Sequence, residues 1–247
     1  IGGPAVTDSV IDITCYGDST GVIYIFTLGA DPFTYSWSGP IGFTDPGDTS
    51  IIYNLDTGLY NVTVTDFNNC NTILDSIRVS EPNSPLTIDT TIKTLTCHND
   101  ASGSIDISVN NGTSPFTYSW SGINGFTSSS QNISGLEAGI YVLNVTDSNN
   151  CKIINDSITV LQPDSIVISE TLISPTCNSS DGSIIVSVTG GSVANDYSYN
   201  WDNLTSGNLG VGSDDTLSNI GPGSYQISVQ DDSLCTGATV ITINNEN

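Results

Sequence analysis

The sequence has very few basic residues and no long apolar run, and each scarcity excludes a class of function. Among 247 residues there are three lysines or arginines against 26 aspartates and glutamates, which gives a formal net charge of −23. Such a charge repels nucleic acid and anionic membrane surfaces, so neither is an expected partner. No apolar stretch is long enough to cross a bilayer, and we expect no direct membrane insertion.

The scarcity of histidine argues against an enzyme. A Ser-His-Asp or Cys-His centre needs a base, and His98 is the only histidine. There is no Cys-x-x-Cys pair to begin a zinc site, and no P-loop or G-x-G-x-x-G fingerprint before a helix. Paired carboxylates for glycoside hydrolysis are not excluded by their number. The sequence nevertheless predicts a protein that is not an enzyme and needs no catalytic cofactor.

The sequence instead contains one motif pattern that occurs three times, which is typical of a repeat protein. The tryptophans Trp37, Trp120 and Trp201 are 83 and 81 residues apart. They end the segments PFTYSW, PFTYSW and YSYNW, which follow CYGDSTG, CHNDASG and CNSSDG and precede GLYNVTVTDFNNC, GIYVLNVTDSNNC and GSYQISVQDDSLC. Proline-bearing joints between these segments predict three domains, repeat 1 (1–82), repeat 2 (83–163) and repeat 3 (164–247).

Each repeat has the residue alternation of β-strands. Ile105 and Ile107, for example, alternate with polar residues, as in a half-buried strand. About seven short strands in each repeat predict an all-β chain, a tandem array of three immunoglobulin-like (PKD-like) β-sandwich repeats arranged as an elongated rod. Tyr60 fits the tyrosine corner of strand F and Trp37 the core tryptophan of strand C, while Val62 stands where immunoglobulins have a cysteine.

The cysteines therefore serve elsewhere. Six of them at regular spacing in a β-rich chain predict disulfides and an oxidising, extracellular compartment. Cys15 lies just before the turn between strands A and B, and Cys70 lies in the turn between strands F and G. These turns are at opposite ends of an immunoglobulin-type sandwich, more than about 20 Å apart, whereas a disulfide needs Cα atoms within about 7 Å.

Two pairings remain open. In the favoured one, the A–B turn of one repeat meets the F–G turn of the next. This gives the between-repeat pairs Cys15–Cys151 and Cys97–Cys235, and it leaves Cys70 and Cys177 for further repeats, because we expect the chain to be part of a longer array. In the other, which needs a different strand arrangement, each repeat closes its own bond, giving Cys15–Cys70, Cys97–Cys151 and Cys177–Cys235.

Six aspartates that recur near these turns are weak candidates for a calcium site. Three are near the A–B turns and three near the F–G turns: Asp18, Asp100 and Asp181, then Asp66, Asp147 and Asp231. Calcium takes six to eight oxygen ligands, but the spacing matches no EF-hand or nonapeptide calcium loop. Ordinary capping of the turn by the side chain is the favoured interpretation.

The order of these motifs resembles one known family. A cysteine before a Gly-ended turn, then PFTYSW, L-x-x-G-x-Y, V-T-D-x-N-N-C and a proline joint, is similar to the SprB repeat of very large cell-surface adhesins from gliding bacteria of the Bacteroidetes. The resemblance extends over nearly the whole chain, and repeat 3 departs most, with DDSLC in place of D-x-N-N-C. It implies type IX secretion, a bacterial cell-surface location, gliding motility, and adhesion to polysaccharide or substratum through other regions.

A second motif accords with that resemblance. Bacteroidetes O-glycosylate Asp-Ser or Asp-Thr followed by Ala, Ile, Leu, Val, Met or Thr, and eight such motifs occur here against about two expected by chance. The predicted acceptors are Ser9, Ser19, Ser76, Thr90, Ser157, Ser165, Thr216 and Ser233. The alternative is that Asp-Ser and Asp-Thr simply suit turns and strand starts.

Three functions are compatible with this pattern. The favoured one is a structural spacer or stalk of a surface adhesin, whose immediate partners are neighbouring repeats of the same chain. The second is a carbohydrate-binding or adhesive module, for which Tyr24 and Phe26 would face outward from strand B of repeat 1. Repeat 2 has Asp106 and Ser108 at those positions. The third is an accessory stalk of a secreted hydrolase.

Overall fold

The computed structural model describes residues 2–177, 179–192 and 196–245. Over these ranges the chain consists of β-strands, turns and one short 3-10 segment, Ile123–Gly125. Contacts between Cα atoms divide the chain into two compact units. The first comprises Ile1–Asp89, Ser108–Ser119 and Asn144–Ile154, and the second comprises Thr90–Ile107, Trp120–Leu143 and Asn155–Asn247.

Repeat 1 forms a sandwich of two three-stranded antiparallel sheets. Its strands are β1 (Ala5–Ile11), β2 (Gly21–Leu28), β3 (Thr34–Ser38), β4 (Ile51–Leu55), β5 (Gly58–Thr65) and β6 (Asn71–Val79). One sheet has the order β1-β2-β4 and the other β3-β5-β6. In immunoglobulin terms these sheets are A-B-E and C-F-G. The A–B and F–G hairpins each lie within one sheet, and the chain crosses between the layers from B to C, from C to E and from E to F.

Repeats 2 and 3 keep this order and add one edge strand beside strand C. The strands of repeat 2 are β7 (Thr87–Lys93), β8 (Gly103–Asn110), β9 (Thr117–Ser121), β10 (Thr127–Ser128), β11 (Ile133–Leu136), β12 (Gly139–Thr146) and β13 (Lys152–Val160). Those of repeat 3 are β14 (Val167–Ile173), β15 (Gly182–Thr189), β16 (Ser198–Asn203), β17 (Asn208–Gly212), β18 (Thr216–Ile220), β19 (Gly223–Gln230) and β20 (Thr236–Ile243). The four-stranded sheets are β10-β9-β12-β13 and β17-β16-β19-β20.

The alternating residues of the strands build the core of each sandwich. In repeat 1, Ile23 and Ile25 of β2 pack in one buried cluster with Val62 and Val64 of β5 on the opposite sheet. Repeat 3 has the same arrangement around Ile184 and Ile227. An apolar residue at every second position places its side chain on the inner face of the sheet, where burial stabilises the fold.

The three tryptophans occupy the same place in strand C and bury both their rings and their indole N–H groups. Each Nε1 donates a hydrogen bond to a backbone carbonyl of the segment after strand C, so no indole donor is left unpaired in the core. The pairs are Trp37 to Thr49 at 2.9 Å, Trp120 to Ser130 at 2.9 Å and Trp201 to Asp214 at 2.8 Å.

A tyrosine corner is present in every repeat. The buried tyrosine near the start of strand F donates from its hydroxyl to the backbone carbonyl four residues earlier, at 3.0 Å in all three cases: Tyr60 to Asp56, Tyr141 to Glu137 and Tyr225 to Gly221. This fixes the corner between strands E and F. Burial raises the pKa of the Tyr60 phenol, so its hydroxyl remains a hydrogen-bond donor at neutral pH.

The all-β, immunoglobulin-like fold expected from the sequence is confirmed. The tyrosine corner at Tyr60 and the strand C tryptophan at Trp37 lie where the sequence placed them. Repeat 1 has six strands rather than about seven, because its segment between strands C and E makes no edge strand like β10. The domain limits 1–82, 83–163 and 164–247 and the elongated rod stay predictions.

Candidate functional site: two disulfide junctions

Two disulfides link the A–B turn of one repeat to the F–G turn of the next. Cys15 bonds Cys151 with a Cα–Cα distance of 5.4 Å, and Cys97 bonds Cys235 with 5.5 Å. Both cysteines of the first bond belong to the first compact unit and both of the second bond to the second unit. The structure therefore has the between-repeat pairs, and Cys70 and Cys177 are free thiols.

The two junctions have the same local geometry. The F–G sulfur lies against the carbonyl oxygen of the threonine that precedes the A–B cysteine, 3.4 Å from Cys151 to Thr14 and 3.3 Å from Cys235 to Thr96. In the second junction the Ser192 hydroxyl also reaches the Thr96 carbonyl at 3.4 Å. The dipeptide Thr-Cys recurs in all three repeats, a signal that pointed to this contact and that the sequence reasoning did not use.

An open groove flanks each disulfide. Beside the first bond it has a volume of about 360 Å³ and includes Tyr16, Leu86 and Lys152 in its lining. Beside the second it has about 370 Å³ and includes His98 and Ile166. Leu86 and Ile166 stand at the same place in their repeats, just before strand A. The grooves give solvent access to the edges of both junctions.

A buried aspartate shapes the F–G turn that presents each cysteine. Its Oδ1 accepts the backbone N–H of the cysteine four residues later, at 2.9 Å in every repeat, and also the N–H two residues later. Its own N–H donates to the carbonyl of the same cysteine. The three are Asp66, Asp147 and Asp231, and they are the buried acidic side chains of the described residues.

The second oxygen of this aspartate distinguishes the repeats. In repeat 2, Oδ2 of Asp147 accepts the backbone N–H of Thr113 at 2.9 Å, and in repeat 3, Oδ2 of Asp231 accepts that of Ser192 at 2.7 Å. These bonds tie the F–G turn to the B–C turn. The side-chain hydrogen bonds described for Asp66 all involve Oδ1.

A buried residue two positions before the A–B cysteine, called the plug residue here, anchors the other half of each junction. Ile13 and Leu95, two residues before the A–B cysteine, are buried, and their N–H groups donate at 2.9 Å to carbonyls just after strand G, those of Ser80 and Leu161. Repeat 3 has the buried Pro175 at this place, which has no N–H to donate. The A–B cysteine is thus carried on a segment held to the sandwich core.

Acid should weaken the F–G turn of repeat 3. Burial alone would raise the pKa of the Asp231 carboxyl, but hydrogen bonds from the backbone N–H groups of Ser192, Cys235 and Ser233 outweigh it and lower that pKa below 3.8. A carboxyl with a lowered pKa contributes stability above its unfolded pKa and loses it as the pH falls through the folded value. We expect the urea midpoint of repeat 3 to fall progressively below pH 3.8.

The matched variants for this measurement are Asp231→Asn and Asp232→Asn. Both remove one carboxylate from the same turn, but Asp231 is buried and Asp232 is exposed. The dependence of the urea midpoint on pH should be flatter in Asp231→Asn than in Asp232→Asn. Equal slopes in the two variants would contradict this role of the Asp231 carboxylate.

The aspartates proposed as calcium ligands at the F–G turns accept backbone N–H groups with their carboxylate oxygens. The described residues contain no group of three or more His, Cys, Asp or Glu side chains that could hold a metal ion. At the A–B turns, Asp100 caps the backbone N–H of Cys97 and Asp181 that of Thr176. Hydrogen bonds from Ser179 and Thr176 lower the pKa of the Asp181 carboxyl to about 2. The arrangement is that of turn capping.

The remaining predicted positions lie on the surface. Of the eight expected O-glycosylation acceptors, Thr216 and Ser233 are half-buried and the others are exposed: Ser9, Ser19, Ser76, Thr90, Ser157 and Ser165. His98 is an exposed turn residue whose Nδ1 lies 3.0 Å from the carbonyl of Pro163. On strand β2, Tyr24 is half-buried and Phe26 is 57% exposed.

The fold and the junctions define an array of immunoglobulin-like repeats joined by disulfides. The model of one family, the SprB repeat, matches this chain at residues 90–125 and 169–206. The resemblance inferred from the motifs is confirmed at these two places. Each matched segment runs from strand A through the A–B turn to strand C, and so includes Cys97 with Trp120 or Cys177 with Trp201. No curated protein sequence matches the chain.

Three solved structures of multi-domain proteins align with this chain. The N-terminal eight Ig domains of Down Syndrome Cell Adhesion Molecule align over 97% of this chain and 36% of that one, with 13% identity and a TM-score of 0.41. Extracellular domains 3–5 of Drosophila OTK align over 99% and 96%, with 11% identity and a TM-score of 0.26. The FN1–FN3 domains of chicken CNTN1 align over 99% and 100%, with 10% identity and a TM-score of 0.24. This chain thus spans about a third of the first of these structures.

No helix among the described residues is long and apolar enough to cross a membrane. The feature that distinguishes this chain from a string of independent sandwiches is the pair of disulfide junctions.

Proposed function

We propose that this chain is a non-enzymatic spacer segment of a large, repetitive cell-surface adhesin. The observation that carries the proposal is that both disulfides join one repeat to the next rather than closing a repeat on itself. Such bonds are superfluous for a freely jointed chain of binding domains. They are useful in a stalk, where force must pass from one repeat to the next without unravelling either.

The family match and the charge support an exposed location. SprB-repeat segments cover the A–B turns of repeats 2 and 3, and disulfides persist in oxidising compartments. A net charge of −23 keeps an exposed array soluble. We extend the proposal to secretion by the type IX system, to a part in gliding motility, and to glycans at the exposed Asp-Ser and Asp-Thr motifs.

Peptide mass spectrometry without reduction, on protein released from intact host cells by an external protease, tests this location. We expect cross-linked peptides that pair Cys15 with Cys151 and Cys97 with Cys235, together with hexose-bearing Asp-Ser or Asp-Thr peptides. Release of these peptides only after lysis, with all six thiols free, would remove the basis for a surface stalk. Cross-linked peptides without hexose would support the stalk and contradict the proposed glycosylation.

A binding assay separates the spacer from the carbohydrate-binding alternative. Phe26 and Tyr53 of repeat 1 are 57% and 58% exposed on the outer side of the A-B-E sheet, and such aromatic surfaces are the ones that sugars contact. A spacer should show no retention on columns of host or algal polysaccharide, and Phe26→Ser should not change this. Retention that Phe26→Ser abolishes would instead favour an adhesive module.

A further inference from the structure

The two free cysteines are the two halves of a junction that the chain otherwise builds twice. Cys70 is on the F–G turn of repeat 1, the place of Cys151 and Cys235 in the later repeats. Cys177 is on the A–B turn of repeat 3, the place of Cys15 and Cys97. Both are free thiols, with Cys70 half-buried and Cys177 exposed. One end of the chain therefore offers the F–G half and the other the A–B half.

The F–G half at Cys70 has the geometry of the bonded ones. Oδ1 of Asp66 accepts the N–H of Cys70 at 2.9 Å, and the N–H of Asp66 donates to the carbonyl of Cys70 at 2.9 Å. The corresponding distances in the two bonded repeats are 2.9 and 3.0 Å. Asn69, the residue before Cys70, has the same left-handed conformation as Asn150 before Cys151, with φ of 57° and 66°. The thiol of Cys70 is therefore presented as its bonded counterparts are.

The A–B half at Cys177 keeps the Thr-Cys dipeptide, since Thr176 precedes it as Thr14 and Thr96 precede the bonded cysteines. Its turn is closed differently, because the Thr176 carbonyl accepts the N–H and the hydroxyl of Ser179, both at 3.0 Å. The N–H of Thr176 is capped by Asp181 at 2.8 Å, and Pro175 is buried as the plug. The half-junction is thus held in place without its partner.

We propose that Cys70 and Cys177 each close a further junction of the same kind with a neighbouring repeat, and that a second copy of this chain supplies the missing halves through a Cys177–Cys70 disulfide that joins the two copies end to end. The inference rests on the proposed stalk and deepens it by naming the partner of its free thiols, the complementary half-junction of another repeat of this kind. The oxidant is a small disulfide such as oxidised glutathione. The Cys70 thiolate attacks it and releases one glutathione, and the Cys177 thiolate of the second chain then attacks the mixed disulfide and releases the other. Two thiols are oxidised and one glutathione disulfide is reduced.

The test incubates the purified chain, with its two internal disulfides intact, in a glutathione redox buffer. A salt concentration of about 1 M shortens the Debye length to about 3 Å, which suppresses repulsion between the acidic chains. Non-reducing peptide mapping should find the Cys70–Cys177 peptide in at least about tenfold excess over Cys70–Cys70 or Cys177–Cys177. If the thiols paired at random, the Cys70–Cys177 peptide would be only about twice as abundant as the Cys70–Cys70 or the Cys177–Cys177 peptide.

Two single variants supply the matched control, because neither thiol is part of an internal disulfide. The Cys70→Ser chain keeps only the A–B half and the Cys177→Ser chain only the F–G half. Each alone should remain monomeric, while an equimolar mixture should give dimers and no longer species. Dimers formed as readily by one variant alone, or statistical pairing in the parent chain, would overturn the proposal.

The same peptide map separates this proposal from the stalk itself. If the Cys15–Cys151 and Cys97–Cys235 peptides are present and the Cys70–Cys177 peptide is absent, end-to-end joining is wrong and the stalk stands. If the internal pairs are also absent, the junction does not form in solution and the proposed function is wrong as well.

Discussion

Pulled from its two ends after unfolding, the oxidised chain should extend to only about 290 Å, against about 890 Å once its disulfides are reduced, at about 3.6 Å per residue. The two covalent loops overlap, since one closes between Cys15 and Cys151 and the other between Cys97 and Cys235. The shortest covalent path therefore crosses both bonds and includes only 1–15, 97–151 and 235–247. Single-molecule force spectroscopy with and without a reductant measures this difference as contour length.

Removing one bond at a time gives an ordered set of controls. A Cys15→Ser variant retains the Cys97–Cys235 loop, and its path lengthens to about 390 Å at the same length per residue. A Cys235→Ser variant retains the other loop and reaches about 400 Å. The Cys70→Ser variant should have the contour length of the parent chain, because Cys70 takes part in neither disulfide. A contour length that reduction leaves unchanged would show that the junctions do not close in solution.

Because the two loops overlap, the bonds limit how far a stalk can extend in addition to stabilising it. A loop closed within one repeat would shorten the extension of that repeat alone, and a chain of such repeats could still swing or separate at every joint. Bonds between successive repeats enclose the joint itself, and the middle repeat is included in both loops. The unfolded extension is limited because tension bypasses most of the backbone of repeats 1 and 3.

Replacing Asp147 by Asn should destabilise repeat 2 by about 2 kcal/mol or more, whereas Asp66→Asn should cost repeat 1 less than about 1 kcal/mol. Asp147 accepts backbone N–H bonds on both carboxylate oxygens, from Cys151 and Asn149 on Oδ1 and from Thr113 on Oδ2. An amide has one acceptor oxygen, so its NH₂ would face a donor and leave a buried N–H unpaired. The hydrogen bonds of Asp66 use Oδ1, which the oxygen of asparagine can replace.

Urea unfolding with hydrogen exchange in the two F–G turns measures both effects in one chain, because each variant leaves the other repeat as an internal reference. Loss of protection should reach the Thr113 amide in Asp147→Asn, since that N–H loses its acceptor. The Asp147→Ala and Asp66→Ala variants remove all the side-chain acceptors of both turns, and Asp147→Ala should still cost more, because it also leaves the Thr113 N–H without its acceptor. Equal losses in the two asparagine variants would mean that Oδ2 contributes nothing.

The sequence predicted the fold because the repeat reveals which residues share a position. Trp37, Trp120 and Trp201 recur 23, 21 and 24 residues before the tyrosine of strand F, and this order matches strands C and F of an immunoglobulin-like sandwich. Strand order also favoured the between-repeat cysteine pairs over pairs within a repeat, because turns at opposite ends of one sandwich are too far apart for a disulfide. Repeat 3 departs in sequence at its F–G turn, yet Leu234 takes the left-handed conformation that Asn150 has in repeat 2.

What the sequence could not decide was the role of the aspartates. A conspicuous acid after strand F in every repeat is compatible with a cation ligand or a turn cap, since both use the same carboxylate oxygens. The difference lies in where those oxygens point, and this depends on the burial of Asp147 and the approach of Thr113 from the B–C turn, a contact between residues far apart in sequence. The same holds for the sulfur–carbonyl contacts at Thr14 and Thr96.

The sequence by itself thus determined the all-β, immunoglobulin-like class and the alternation that builds each sandwich, and it supplied the topological reason to favour disulfides between repeats. These are periodic or covalent properties, and spacing alone encodes them. The tertiary structure decided that the F–G aspartates hold backbone N–H groups and that Cys70 is presented with the geometry of its bonded counterparts. Those properties depend on distances of about 3 Å between segments that only packing brings together.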